Sequence, residues 1–160
     1  MTKSAKTVYN VLIADDSEND RILLKTALLK AARLQAVAEV SDGADVIAYL
    51  GGHAHFSDRE KFPLPDLLLL DLKMPLMDGF EVLAWLKAQP RRNLTVVVLT
   101  DSMQAEHIKR ALDLGADLFQ VKPRVNHDRD AMILALEEYI LKSTAIPVHH
   151  ASVHSFRSLA

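Results

Sequence analysis

Two short stretches confine this chain to one kind of architecture. DLLLLD (Asp66 to Asp71) is apolar at every internal position, and LTVVVLT (Leu94 to Thr100) is continuously apolar from Val96 to Leu99. A strand with one wet face alternates apolar and polar residues. A strand apolar throughout has to be covered on both sides, which is the situation of strands in parallel sheets layered by helices. NVLIADD (Asn10 to Asp16), AVAEV (Ala36 to Val40) and ADLFQVK (Ala116 to Lys122) read as three more short strands.

Between these runs the apolar residues recur with a helical period. The first such segment is Asn19 to Arg33, with Ile22, Leu23, Ala27, Leu28 and Ala31 as its apolar set. The second follows the cap-type residues Ser41 and Asp42 and runs to Leu50. Gly79 to Gln89 carries Val82, Leu83 and Leu86, and SMQAEHIKRALDLG closes at Gly115. The last segment, Asn126 to Ser143, presents Met132, Ala135, Leu136, Tyr139 and Ile140. Asp78-Gly79 reads as a turn and helix start. Strand and helix alternating five times predict an α/β fold with a doubly wound parallel sheet. The right-handed crossover rule favours the flavodoxin-like strand order 2-1-3-4-5 with five helices. The segment Gly51 to Pro65 is long for a connection in such a unit.

The 160 residues suffice for one domain with a real core. With 21 acidic and 19 basic residues the formal charge is −2, so charge gives no reason to expect nucleic acid or a membrane surface as partner. The absence of cysteine excludes disulfides, thiolate metal sites and thiol nucleophiles. No apolar run reaches the length of a membrane span, and the N-terminus lacks a signal-peptide core, so the cytoplasm is the expected location.

What ends each strand matters most. The first ends in Asp15 and Asp16, the third in Asp71, the fourth in Thr100 and the fifth in Lys122. In the proposed order these strands are neighbours, and ligands in open parallel sheets sit beyond the carboxyl ends. Three carboxylates brought together repel unless a cation lies among them. An all-oxygen set without His or Cys suits Mg²⁺. A lysine and a threonine opposite them complete what a phosphoryl group with developing charge needs. An aspartate in that setting can itself be the nucleophile.

This set resembles the receiver domain of bacterial two-component response regulators. The matching residues are Asp15-Asp16, Asp71 within DLKMPLMDG, Thr100 within VVVLT, and Lys122-Pro123. The resemblance implies a receiver domain over residues 8–143 and a C-terminal tail over 144–160. It implies that Asp71 accepts a phosphoryl group from a sensor histidine kinase or a phosphotransfer protein. It further implies that Asp15, Asp16, Asp71 and the Lys73 carbonyl serve Mg²⁺, with Asp15 acting through water. Thr100 would hydrogen-bond the phosphoryl group, Lys122 would pair with it, and Phe119 would be the aromatic switch. A cis peptide is implied at Lys122-Pro123. Asp101, beside Thr100, stands where the family has a small residue; the expectation is that it caps the following helix rather than blocks the pocket. Lys73 and Ser102 occupy positions that tune the phosphate lifetime in this family.

With so short a tail, the reading is a stand-alone regulator whose output is a protein contact and which is not a turnover enzyme. The Gly51 to Pro65 loop and DLKMPLMDGFEVLAWLK resemble single-domain receivers associated with bacterial phytochrome kinases. That resemblance implies a bacteriophytochrome as donor and often a homodimer; Ile146 to Val148 in the tail reads either as a frayed terminus or as a segment that docks on a second subunit. Two rivals remain. One is a haloacid dehalogenase-type phosphatase, which requires a second aspartate two residues after the nucleophile, where this chain has Lys73 or Ser17. The other is a receiver-like scaffold that is never phosphorylated.

Overall fold

The computed structural model describes residues 6–90 and 93–145. The strands are β1 (Tyr9–Ala14), β2 (Leu34–Val40), β3 (Leu67–Leu70), β4 (Thr95–Thr100) and β5 (Leu118–Val121). They form one parallel sheet in the order β2-β1-β3-β4-β5. Helices α1 (Glu18–Leu28), α2 (Gly43–Gly51), α3 (Gly79–Ala88), α4 (Ala105–Asp113) and α5 (Asn126–Ala145) join them, with a short 3₁₀ turn at Ala54–Phe56. The expected architecture and strand order are both present.

The leucine run serves two cores at once. Leu67 and Leu69 join Val11, Ile13, Val97 and Leu99 under α1 and α5. Leu68 and Leu70 join Leu12, Ala14, Val96 and Val98 under α2 and α3. All four leucines are at most 1% exposed. Uniform apolarity cannot by itself specify register, because a one-residue slip merely exchanges one leucine for another. The aspartates at the two ends do specify it. At one end, the Asp66 carboxylate accepts from the Asn10 amide at 2.7 Å and pairs with Lys6 at 2.7 Å. At the other, Asp71 meets Lys122 at 3.1 Å. A slip would drag one of these carboxylates into the core, unpaired.

Several boundaries and faces differ from the periodicity. α1 stops at Leu28 rather than Arg33, because the Arg33 carbonyl accepts from the Tyr9 amide and the chain already belongs to the sheet from Leu34. Its core residues are Leu24, Ala27 and Leu28, whereas Ile22 is exposed. α5 continues to Ala145, and Ile133, outside the expected set, is fully buried. α4 begins at Ala105 after an N-cap at Gln104 that makes no side-chain bond, and Asp101 is exposed, so Asp101 does not cap it. The Lys122–Pro123 bond is trans, not cis. Trans is the lower-energy isomer even before proline, by about 0.5–1 kcal/mol.

The long connection before β3 is packed rather than loose. Phe56 is buried and stacks in a cluster with Tyr49 and Phe62 at ring distances of 5.1 and 5.2 Å. The Arg59 guanidinium donates to the carbonyls of Tyr49, Leu50 and Phe62 at 2.8, 3.1 and 3.2 Å. It thereby satisfies carbonyls at the end of α2 that the helix itself leaves open. The tail segment Ile146 to Val148 and most of residues 144–160 lie outside the described residues.

Candidate functional site: an acidic pocket at the carboxyl edge of the sheet

The two-residue period of the strands explains which groups meet. Val11 and Ile13 of β1, and Leu67 and Leu69 of β3, point toward α1 and α5. Asp15 and Asp71 are the next positions along these rows, just past the strand ends. Leu118 lies on the same side, and Lys122 continues its row. Three charged residues far apart in sequence thus emerge on one face at one edge.

The Lys122 ammonium lies 2.7 Å from Asp15 Oδ2 and 3.1 Å from Asp71 Oδ2. It also lies 2.9 Å from Asp20 Oδ2, a carboxylate the sequence reading did not include. Asp15 and Asp71 are 2% and 5% exposed. One oxygen each from Asp15, Asp16 and Asp71 fall within 4.8 Å of one another, with Asp16 facing solvent. The Asp71 carboxylate also accepts from the Lys73 amide at 3.3 Å, and Asp15 accepts from the Ser17 amide at 2.9 Å. Arg21 fixes the backbone here, donating to the Asp15 carbonyl at 2.7 Å while its Nε faces Glu39 at 3.7 Å.

The loop that carries Asp71 is held by close backbone approaches. The Gly79 amide donates to the Leu72 carbonyl at 2.9 Å. A Cβ on Gly79 would stand 2.4 Å from the Asp71 carbonyl oxygen, so only glycine fits. Gly43 at the start of α2 is in the same position against the Met77 carbonyl, at 2.3 Å. Asp78 caps α3 in a reciprocal box with Glu81, which bears out its reading as a turn and helix start.

Thr100 is 1% exposed and belongs to the other row of β4, with Val96 and Val98. Its hydroxyl oxygen accepts from the Ser102 amide at 3.3 Å. The Thr100 carbonyl accepts from the Lys122 amide at 2.9 Å, which ties the two strand ends together. Phe119 is half-buried on that same side, level with Val98 in the β4–β5 register.

Electrostatics follow from burial. Removal from water pushes the Asp71 carboxyl up to about 6; the Lys122 charge opposes this and the Asp15 charge adds to it. Burial also raises Asp15, against its bond to Lys122. For Lys122, burial works against the ammonium, but the bonds to Asp15 and Asp20 and the charges of Asp71 and Asp15 outweigh it and leave its pKa raised. Two desolvated carboxylates and a third at the rim, with hard oxygen donors only, fit a small divalent cation. Among the described residues, no helix is long and apolar enough to cross a membrane.

The chain is similar in sequence to response regulator Rcp1 of Synechocystis sp., at 30% identity over 138 residues, 86% of this chain and 92% of that protein. Its fold is similar to the phosphorylated cyanobacterial phytochrome response regulator RcpA, with a TM-score of 0.76 and 29% identity over 88% of this chain and 99% of that one. It is also similar to RPA3017, a response regulator in red light signaling of R. palustris, with a TM-score of 0.76 and 31% identity over 89% of this chain and 100% of that one. The Mn²⁺-bound form of Rcp1 superimposes with a TM-score of 0.73 at 29% identity, over 88% of this chain and 99% of that one. The response regulator receiver domain family matches residues 11–145, the span whose strand ends build the acidic pocket. By its fold, its pocket and this match, the chain belongs to the response regulator receiver domain family.

Proposed function

We propose that Asp71 is the phosphoryl acceptor and that the chain switches its protein contacts when Asp71 is phosphorylated. The observation that carries this is the triple contact of one partly buried lysine with Asp15, Asp20 and Asp71. A desolvated carboxylate beside a fixed ammonium, with two further carboxylates close enough to share a cation, is the chemistry phosphoryl transfer to oxygen requires. An Asp71 oxygen forms the new bond to phosphorus, and the bond from phosphorus to a donor histidine nitrogen breaks. The imidazole leaves with the electron pair, and Asp71 becomes an acyl phosphate.

Asp15, Asp16, Asp71 and the Lys73 carbonyl are the groups that would hold Mg²⁺. When bound, the cation offsets the negative charge of the phosphoryl oxygens. Lys122 pairs with one of those oxygens. Thr100 turns its hydroxyl from the Ser102 amide to another, and Phe119, on the same side of the sheet, takes up the space released. Phosphorylation supplies about −1.5 to −2 charge for this rearrangement. Likeness to phytochrome response regulators supports a bacteriophytochrome sensor kinase as donor, with a phosphotransfer protein as the alternative, in the cytoplasm. Residues 8–143 act as the receiver unit, 144–160 form a C-terminal tail, and Ile146 to Val148 within it contribute to a homodimer. Within this reading the chain is a signalling domain rather than an enzyme that turns over an external substrate.

Incubation with acetyl phosphate or a phosphoramidate and Mg²⁺ is expected to add one phosphoryl mass to the intact chain, and Asp71→Asn to abolish the gain. If neither small donors nor any histidine kinase transfers a phosphoryl group, the unphosphorylated-scaffold reading takes its place.

A further inference from the structure

The two helix starts flanking the pocket use the same sequence device differently. α3 begins Asp78-Gly79-Phe80-Glu81. The Glu81 carboxylate reaches back to the Asp78 amide at 2.8 Å, and the Asp78 side chain accepts from the Glu81 amide at 2.8 Å. α1 begins Ser17-Glu18-Asn19-Asp20, which offers the same cap. Half of it forms, since the Ser17 hydroxyl accepts from the Asp20 amide at 3.2 Å. The other half does not. The Ser17 amide is taken by Asp15 Oδ1 at 2.9 Å, so the Asp20 carboxylate is released from its capping duty. It turns to Lys122 instead, at 2.9 Å.

Lys122 has three carboxylate partners, and two of them, Asp15 and Asp71, belong to the cluster assigned to the divalent cation. A cation seated there competes with the ammonium for the same oxygens. The Lys122 side chain is only 13% exposed, so an ammonium displaced without a partner would be both desolvated and uncompensated. Among the described residues, Asp20 is the one contacting carboxylate outside that cluster, and it is carried by α1 rather than by a strand end.

We propose that Asp20 is a positioning residue for Lys122. It keeps the ammonium paired inside the pocket when the divalent cation claims Asp15 and Asp71, and so strengthens cation binding. This rests on the divalent-cation reading of the pocket. It assigns to a residue in the first turn of α1 a role in holding the lysine available for the phosphoryl group.

Calorimetric titration of Mg²⁺ into the full chain tests it, with melting curves to verify that each variant is folded. Asp20→Asn is expected to weaken binding on the order of tenfold, within the range of coupling measured for contacting charged pairs. Glu18→Gln removes a carboxylate from the same helical turn that does not contact Lys122, and is expected to change affinity less than about twofold. In a Lys122→Met background, Asp20→Asn is expected to lose most of its effect. An equal effect in both backgrounds would show that Asp20 acts by through-space charge alone and overturn the proposal. So would unchanged affinity in Asp20→Asn while the wild-type chain binds. Absence of Mg²⁺ binding by the wild-type chain would instead remove the cation reading itself, and the proposal with it.

Discussion

Asp71 is ionised only at the expense of folding stability, because its carboxyl titrates near 6 in the folded chain and at the ordinary carboxylate value once unfolded. Below pH 4 both states hold the proton and the residue is neutral in its effect. Between pH 4 and 6 the unfolded state ionises while the folded state does not, so folding weakens as pH rises, and the loss persists above 6. In the cation-free protein, Asp71→Asn is therefore expected to raise stability by about 1–3 kcal/mol at pH 7.5, since each pKa unit corresponds to about 1.4 kcal/mol. The gain should vanish by pH 4, where the carboxyl carries its proton in both states. Urea denaturation at both pH values checks this; equal gains at pH 4 and 7.5 would contradict the burial argument. Asp71 itself was legible because a carboxylate at the end of four leucines has no packing explanation. Asp20 was not, since a serine followed three residues later by an acid reads as a helix cap, and only the competing bond from Asp15 to the Ser17 amide turns it toward Lys122.

At the scale of elements, the connections hold the pocket as much as the strands do. The β3–α3 loop lies so close to the starts of α2 and α3 that Gly43 and Gly79 admit no side chain. The segment between α2 and β3 is anchored by Arg59 and by the Tyr49 hydroxyl, which donates to the Pro63 carbonyl at 2.9 Å. Arg59→Ala is expected to cost about 2–3 kcal/mol, because it strips three carbonyls of a charged donor. The measurement is the urea midpoint, with Lys61→Ala on the same loop expected to stay within about 0.5 kcal/mol. Sequence periodicity located all five helices and the buried Ala27 and Leu28 of α1, but took Ile22 where Leu24 is the core residue. Ile22 and Leu24 are both apolar, and only the rest of the fold decides that Leu24 lies under the sheet. α4 shows the complementary error. With Ala111 its only buried residue, little fixes its first turn, and it starts three residues later than its polar lead-in suggests.

At the scale of the whole molecule, cation binding should couple to global stability, since the ligands come from β1, β3 and the loops beyond them and separate when the chain unfolds. Mg²⁺ at tenfold above its Kd is expected to stabilise the wild-type chain by about 1.4 kcal/mol and to raise its Tm accordingly. Asp71→Asn should show little or none of this rise; an identical rise in that variant would place the cation elsewhere. Sequence alone determined the strand count, the doubly wound sheet and the residue types at the strand ends. Those follow from a two-residue period, a 3.6-residue period and the cost of burying charge, all of which act over a few neighbouring residues. Tertiary structure decided what Lys122 pairs with, that Thr100 lies on the opposite row from Asp71, and that the long loop packs through Phe56 and Arg59. Those outcomes depend on which groups arrive at hydrogen-bonding distance from far along the chain, and local periodicity carries no information about that.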